Sequence, residues 1–232
     1  MRVTSAFKRL LRLPGASVID VSFSTEGVIV TVRLRRRRRV CAECGQTGRR
    51  LQIHDRRLKR WRHLDLGATK CVIECELRRL RCPDCGVQPE PVPWARPGAR
   101  HTRDLEDTVA WLAQQMAFAP IARLLRIGWH TIGPIVTRVT ADQLDERRLQ
   151  GLVCIGVDEI SYRRHHRYLT SVADHKTGAI VWCRPGRNSA TLAAFFAELG
   201  DRKDTIRAVS IDMSGEYQRA IRDAIPEHPD LF

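Results

Sequence analysis

The stretch Val153-Cys154-Ile155-Gly156-Val157-Asp158-Glu159 is an apolar run that ends in acid, and Ala208-Val209-Ser210-Ile211-Asp212 repeats the pattern about fifty residues later. A short apolar run bounded by polar residues or Gly reads as a buried strand. Each run delivers a carboxylate at its C-terminal end. A buried sheet that spends a position beside its core on Asp usually does so for a site, because an unpaired buried charge is costly.

The surrounding pattern says how these two runs meet. From Gly151 three strand-like segments follow one another at 152–158, 167–173 and 179–184, separated by the turn-like stretches 163–166 and 174–178. They are expected as successive antiparallel strands. Ser189 to Leu199 places Leu192, Phe195, Phe196 and Leu199 on one helical face and is closed by Gly200. A fourth strand over 205–212 and a helix over 215–225, stopped by Pro226, complete the series. Three antiparallel strands, helix, strand, helix is the order of the ribonuclease H-like fold, in which the first and fourth strands lie side by side. Asp158 and Asp212 are then neighbours, and the fourth strand is left as an apolar edge. Two carboxylates a few ångströms apart repel unless a cation lies between them. Hard oxygen ligands suit magnesium or manganese, which activate a water or a 3′-hydroxyl at phosphorus. Asp158 is the expected bridging ligand and Asp212 the second. Glu159 points to the other side by strand alternation. The plain alternative for a lone strand-end Asp is capping or solvation.

Charge names the partner. The net charge is +14, and residues 1–102 hold 23 Lys and Arg against 9 Asp and Glu, whereas residues 103–232 hold 17 of each. The excess includes the run Arg35-Arg36-Arg37-Arg38-Arg39. A charge run can be a mere solvated face, but a domain-wide excess favours a polyanion bound through counterion release. No apolar run approaches the roughly eighteen residues that span a bilayer. Met1 to Leu13 lacks the apolar core and cleavage site of a secretory signal. A cytoplasmic, nucleoid-associated bacterial protein with no membrane partner is expected.

Eight cysteines without a secretory signal argue for metal rather than disulfides. Cys41-Ala42-Glu43-Cys44-Gly45 and Cys82-Pro83-Asp84-Cys85-Gly86 are two Cys-x-x-Cys knuckles, each followed by Gly. The short spacer lets two thiolates of one turn reach the same zinc ion at about 2.3 Å. Four such ligands leave no open position, so the zinc is structural. Cys71 and Cys75 lie in an alternating segment and are expected to pack or face solvent, His54 and His63 are reserve ligands at best, and Cys154 and Cys183 read as core. Upstream, 18–34 alternates around Glu26-Gly27 like a hairpin.

Residues 89–102 are Pro-rich and are expected as a linker between a basic zinc-ribbon domain (1–88) and a helical unit (103–148). Leu105, Val109, Leu112 and Met116 line one face of a first helix, Ile121, Leu124 and Leu125 a short second, and Ile132, Ile135, Val136 and Val139 a third. With the turn Arg126-Ile127-Gly128 this is the helix-turn-helix layout, although any small three-helix unit shares the pattern. Pro134 places the start of the third helix near His130 or Thr131.

Taken together, Cys-x-x-Cys-Gly, Leu80-Arg81-Cys82-Pro83-Asp84-Cys85-Gly86, Ala122-Arg123-Leu124-Leu125, Ile155-Gly156-Val157-Asp158-Glu159-Ile160, Tyr168-Leu169-Thr170 and Ile211-Asp212-Met213-Ser214 resemble the bacterial insertion-sequence transposases of the ISL-three family. The resemblance runs from about residue 35 onward. It implies a multidomain α+β protein: an N-terminal β-rich zinc ribbon, a central helix-turn-helix and a C-terminal, partial ribonuclease H-like α/β domain (149–232). It implies a DDE-type enzyme that cuts and joins DNA with magnesium or manganese, binds the terminal inverted repeats of double-stranded DNA, and allows a homo-oligomer. Carried over by position, Asp158 and Asp212 match the first two catalytic acids. Arg35 to Arg39, Arg123, Arg126, His130 and Thr131 are the expected DNA contacts. The family's third acid, a Glu on a later helix, has no match before Phe232: Glu216, Asp223, Glu227 and Asp230 face the wrong place, and Glu198 is expected to be solvated. A truncated, catalytically incomplete transposase is therefore expected, with a non-catalytic repressor or inert fragment as the alternative. A third reading, an RNA-binding zinc ribbon, fits the charge but leaves the second half unexplained.

Overall fold

The computed structural model describes residues 2–25, 27–35, 38–163, 167–212, 215–225 and 230–231, and the chain divides into two compact units at Leu144/Asp145. The first unit opens with helix α1 (Val3–Leu11) and strands β1 (Ala16–Ser24) and β2 (Gly27–Leu34), followed by β3 (Gln52–Leu66), β4 (Thr69–Cys82) and β5 (Gly86–Pro89). The sheet order is β1-β2-β4-β3, with β5 also paired to β4 and with β2 running parallel to β4. Alternation explains the central pair. Val28, Val30 and Val32 face the same buried layer as Cys71, Ile73 and Cys75, and all six are essentially inaccessible. The thiols of Cys71 and Cys75 are pushed up to about 11 by burial, which makes them inert packing groups.

Strand β3 escapes the usual sequence signal because it is full of charge. Its register supplies the compensation: Arg60 stands opposite Glu74, 2.6 Å apart, and Arg56 pairs diagonally with Glu76 at 3.3 Å. Opposite charges across a ladder support pairing where β-branched residues are missing. The buried side of β3 is anchored by Trp61, edge-on to Trp94 at 5.7 Å.

Trp94 belongs to the Pro-rich segment 89–102, which is a packed connection rather than a free spacer. Trp94, Ala95 and Ala99 are buried there, and the backbone of Arg62 donates to Arg100 at 2.9 Å. Arg96, with its side chain only 1 % exposed, reaches Glu106, Asp107 and Asp142. Apolar and charged residues between the prolines thus tie the ribbon to the helices α2 (Arg103–Ala113), α3 (Phe118–Leu125) and α4 (Trp129–Gln143).

The three helices close on Leu105, Val109, Leu112, Ile121, Ile132, Ile135 and Val139, as expected from periodicity, whereas Met116, beyond the end of the first helix, and Leu124, on the outer side of the second, are exposed instead of inward. The third helix starts earlier than expected, at Trp129, and Pro134 lies inside it. A proline there removes one ladder hydrogen bond, at a cost of about 3 kcal/mol, which buried Ile132 and Ile135 on either side offset.

In the second unit the sheet runs β10-β9-β6-β7-β8, with β6 (Cys154–Arg163), β7 (Arg167–Asp174), β8 (Ile180–Pro185), β9 (Ala208–Ile211) and β10 (Asp230–Leu231). β6, β7 and β8 are antiparallel neighbours, while β9 lies parallel beside β6. The crossover helix α5 (Ser189–Leu199) is capped by Asn188, whose side chain accepts from Thr191 N at 2.9 Å. It packs with α6 (Gly215–Ala224) against the sheet face carrying Ile155, Val157 and Val209. Three expectations change here. β9 is flanked by β10 and is no open edge. Cys154 is half-buried and Cys183 exposed, so neither is core. Glu198 is not merely solvated: it accepts from Arg148 at 2.6 Å and from Trp182 Nε1 at 3.0 Å, partners supplied by residues distant in sequence.

Candidate metal and nucleic-acid sites

The two knuckles converge. Cys41, Cys44, Cys82 and Cys85 place their sulfurs within 4.8 Å of one another, the single such group of three or more ligand side chains among the described residues. In the first knuckle Cys41 N donates to Gln46 O at 2.9 Å and Gly45 N to Cys41 O at 3.2 Å. Gly45 and Gly86 both take left-handed backbone, with φ of 70° and 73°, and a Cβ at either would meet nothing within 4 Å. The glycines are therefore needed for conformation and not for space. The second knuckle joins the end of β4 to β5, so the long hairpin carries one ligand pair to the other.

The geometry fits zinc. Tetrahedral bonds of about 2.3 Å require sulfurs about 3.8 Å apart, and Cys44 and Cys82 stand 3.7 Å apart. The titrations fit as well. The Cys41 thiol is lowered to about 7, first by the backbone N–H of Cys44, whereas that of Cys85 is pushed up to about 12, first by its contact with the Cys44 sulfur. Four thiolates repel one another at this distance, and a dication is what resolves the repulsion. Leu51 and Leu80 pack against the buried pair Cys41 and Cys82. His63 is turned away to Thr102 Oγ1 at 2.8 Å and His54 lies 3.4 Å from Arg81, so neither reserve histidine joins the cluster.

The carboxylate pair is set by register. β6 and β9 pair Gly156 with Ser210 and Val157 with Ile211, so Asp158, within β6, and Asp212, just past the end of β9, follow the last paired residues. Val157 and Ile211 pack toward the helices, and alternation puts Gly156, Asp158 and Ser210 on the opposite face. Both carboxylates are exposed, and Asp158 Oδ1 accepts from Glu159 N at 2.7 Å. Glu159 lies on the other face, as alternation requires, and is not a free solvated group. Its charge helps raise Tyr217 to about 12, a shift caused first by burial, and Tyr217 in turn bonds Thr170 at 2.8 Å.

The same face holds a neighbour that spacing does not reveal. His175 Nε2 lies 2.7 Å from Ser210 Oγ, and a Cβ at Gly156 would come within 3.2 Å of that imidazole. Only the return of the β7–β8 turn over β6, with His175 N donating to Cys154 O at 3.0 Å, brings it there.

The expected DNA contacts divide. Arg36 and Arg37, like Met213 and Ser214, lie outside the described residues. Arg35 and Arg38 are exposed, but Arg39 is turned inward, donating to Leu51 O at 2.9 Å. Arg123 and His130 are exposed and Thr131 is half-buried at the start of α4. Arg126 is engaged internally: it closes α3 in left-handed backbone (φ 53°), pairs with Asp65, and donates to Ala68 O at 2.8 Å. It staples the β3–β4 turn to the helix-turn-helix turn.

Three family models match in chain order. The model of the zinc-finger of transposase IS204/IS1001/IS1096/IS1165 covers residues 37–85, that of the helix-turn-helix domain of transposase family ISL3 covers 90–140, and one described as transposase covers 155–229. The chain belongs to the ISL3 transposase family. It is 41 % identical, over 98 % of its length, to the transposase for insertion sequence element IS1557 of Mycobacterium tuberculosis, of which it covers 53 %. It is 30 % identical, over 83 % of its length, to the transposase for insertion sequence element IS1001 of Bordetella parapertussis, of which it covers 48 %. The chain thus spans about half the length of these ISL3 relatives. Its knuckles lie within the zinc-finger match and make a structural zinc ribbon. Among its described residues no helix is long and apolar enough to cross a membrane.

Proposed function

We propose that this ISL3 chain binds the terminal inverted repeats of an insertion element through its zinc ribbon and helix-turn-helix. We further propose that its second unit is ribonuclease H-like and of the DDE type. The observation that supports the catalytic part is the parallel β6–β9 pairing up to Val157 and Ile211, from which we infer that the next residues, Asp158 and Asp212, are neighbours. Hard carboxylate oxygens so placed fit magnesium or manganese, which supplies charge stabilisation at a phosphoryl centre when bound. Asp158 and Asp212 would hold that ion, with Glu159 tied to the Tyr217 side of the sheet and outside the ligand set. Among the described residues no third carboxylate joins the pair in a cluster.

The DNA part rests on exposed Arg123 and His130 beside the start of α4, the segment that enters a major groove in this layout. The domain division proposed is a basic ribbon, a helical reader joined to it by the packed 89–102 segment, and the sheet unit from residue 149.

Two measurements test the proposal. Duplexes carrying the element's ends, compared with scrambled duplexes by fluorescence anisotropy at 150 mM salt, are expected to bind at least tenfold more tightly; equal affinities would refute repeat recognition. Manganese titration followed by electron paramagnetic resonance is expected to show one ion lost in Asp158→Asn and in Asp212→Asn. Unchanged manganese binding in both variants would remove the carboxylate pair from the proposal.

A further inference from the structure

The first unit divides its arginines into two populations. On the β3–β4 hairpin Arg56, Arg60, Arg62, Arg78 and Arg79 each pair with a carboxylate. At the C-terminal end of α1 the situation is different. Lys8, Arg12 and Arg35 line a pocket of about 250 Å³ together with the apolar residues Leu13, Ala16 and Val18. No acidic residue lines it, and among the described residues no carboxylate pairs with any of the three cations.

Three features set this pocket apart from a solvated charge run. Helix ends attract cations, which accounts for Lys8 and Arg12 near the C-terminus of α1. Arg35, however, comes from the far end of β2 and is held there by its backbone N–H, which donates to Gly15 O at 2.8 Å. Convergence of three like charges from two elements is unfavourable until an anion completes it. Second, Arg12 adopts left-handed backbone (φ 45°) at a helix end that favours Gly. Arg126 is the other described non-Gly residue with positive φ, and its guanidinium is consumed by Asp65. Arg12 uses the same backbone device with no such internal partner among the described residues. Third, the larger cleft lined by Arg60, Lys70 and Arg126 has two of its three cations already neutralised by Glu74 and Asp65.

We propose that Lys8, Arg12 and Arg35 form a phosphate seat for the sugar-phosphate backbone of duplex DNA. The apolar residues take the deoxyribose and the three cations take the phosphate. The family models begin at residue 37, so none of them covers α1 or Arg35. The proposal rests on the DNA-binding reading above and adds a backbone anchor on the N-terminal side of the zinc ribbon.

The full chain, titrated against a fluorescein-labelled 40-base-pair duplex across a salt series, tests it. Each phosphate contact contributes about 0.9 to the slope of log affinity against log salt. The triple variant Lys8→Gln, Arg12→Gln, Arg35→Gln is expected to lower that slope by about 3. The charge-matched triple Arg56→Gln, Arg60→Gln, Arg79→Gln, on the carboxylate-paired hairpin, is expected to lower it by less than about 1. Should the pocket triple fail to fold by circular dichroism, Arg35→Gln alone, which leaves α1 intact, is expected to lower it by about 1. Equal losses in the two triples, or an unchanged slope in the pocket variant, overturn the seat while leaving DNA binding intact. A wild-type chain without salt-sensitive duplex binding sinks the DNA-binding reading, and the seat with it.

Discussion

The two units solve the same problem, a sheet with helices attached, by opposite means. The C-terminal unit buries one continuous apolar layer in which Phe195 stacks edge-on with Trp182 at 5.6 Å and with Phe196 at 5.2 Å. The N-terminal unit divides its apolar residues among three smaller clusters and joins them with sulfur and charge. The open end of its β3–β4 hairpin is held by four cysteines, its Pro-rich segment by the buried guanidinium of Arg96, and its helices by Glu106, fully buried between Arg96 and Arg138. The difference teaches what a strongly basic domain costs. Dense positive charge leaves less apolar surface for a core, so metal and ion pairs supply the missing cohesion.

That contrast breaks most visibly on metal removal. Zinc binding to such a site is worth roughly 10–16 kcal/mol of folding free energy. Chelation, or Cys82→Ser, is expected to abolish the calorimetric transition of the N-terminal unit and to leave the C-terminal one in place. Loss of both transitions together would mean that the units are not energetically separate.

The next test sets one buried group against the other. Phe195→Ala empties part of the C-terminal core and is expected to cost about 3–5 kcal/mol by denaturant titration. Glu106→Ala removes the buried carboxylate shared by Arg96 and Arg138, leaving Arg96 only Asp107 and Asp142, and is expected to cost about 3 kcal/mol, confined to the N-terminal unit. A Glu106→Ala cost below about 1 kcal/mol would show that the ion network is ornament to an apolar core.

The smallest effect separates structural arginines from DNA contacts. Arg126→Ala breaks a partly exposed pair with Asp65 and is expected to destabilise the N-terminal unit by about 1 kcal/mol. Its salt slope for duplex DNA is expected to stay unchanged, whereas Arg123→Ala is expected to lower that slope by about 1. A reversed result would return Arg126 to the DNA-reading surface.

Local chemistry was legible in the sequence. The zinc ligands could be named because two thiolates in one turn and a following Gly form a unit within five residues. The helical faces around Leu105, Ile121 and Ile132 follow from periodicity for the same reason, as do the apolar runs before Asp158 and Asp212, but β6 continues to Arg163 where the pattern ends it at Asp158. Strand β3 was not legible, since a run such as Asp55-Arg56-Arg57-Leu58-Lys59-Arg60 has no apolar alternation until Glu74 and Glu76 lie across from it.

What only the tertiary structure decided was partnership. The arginines of the hairpin, Arg96, Arg126 and Arg12 are equivalent as letters, and long-range register alone makes some of them internal counterions and leaves Lys8, Arg12 and Arg35 around a pocket without acid. The element order anticipates that β9 returns beside β6, but the register of that parallel pair is tertiary in the same way. A parallel pair forms only after a crossover helix returns the chain to the sheet, and that return depends on the packing of α5 and not on either aspartate.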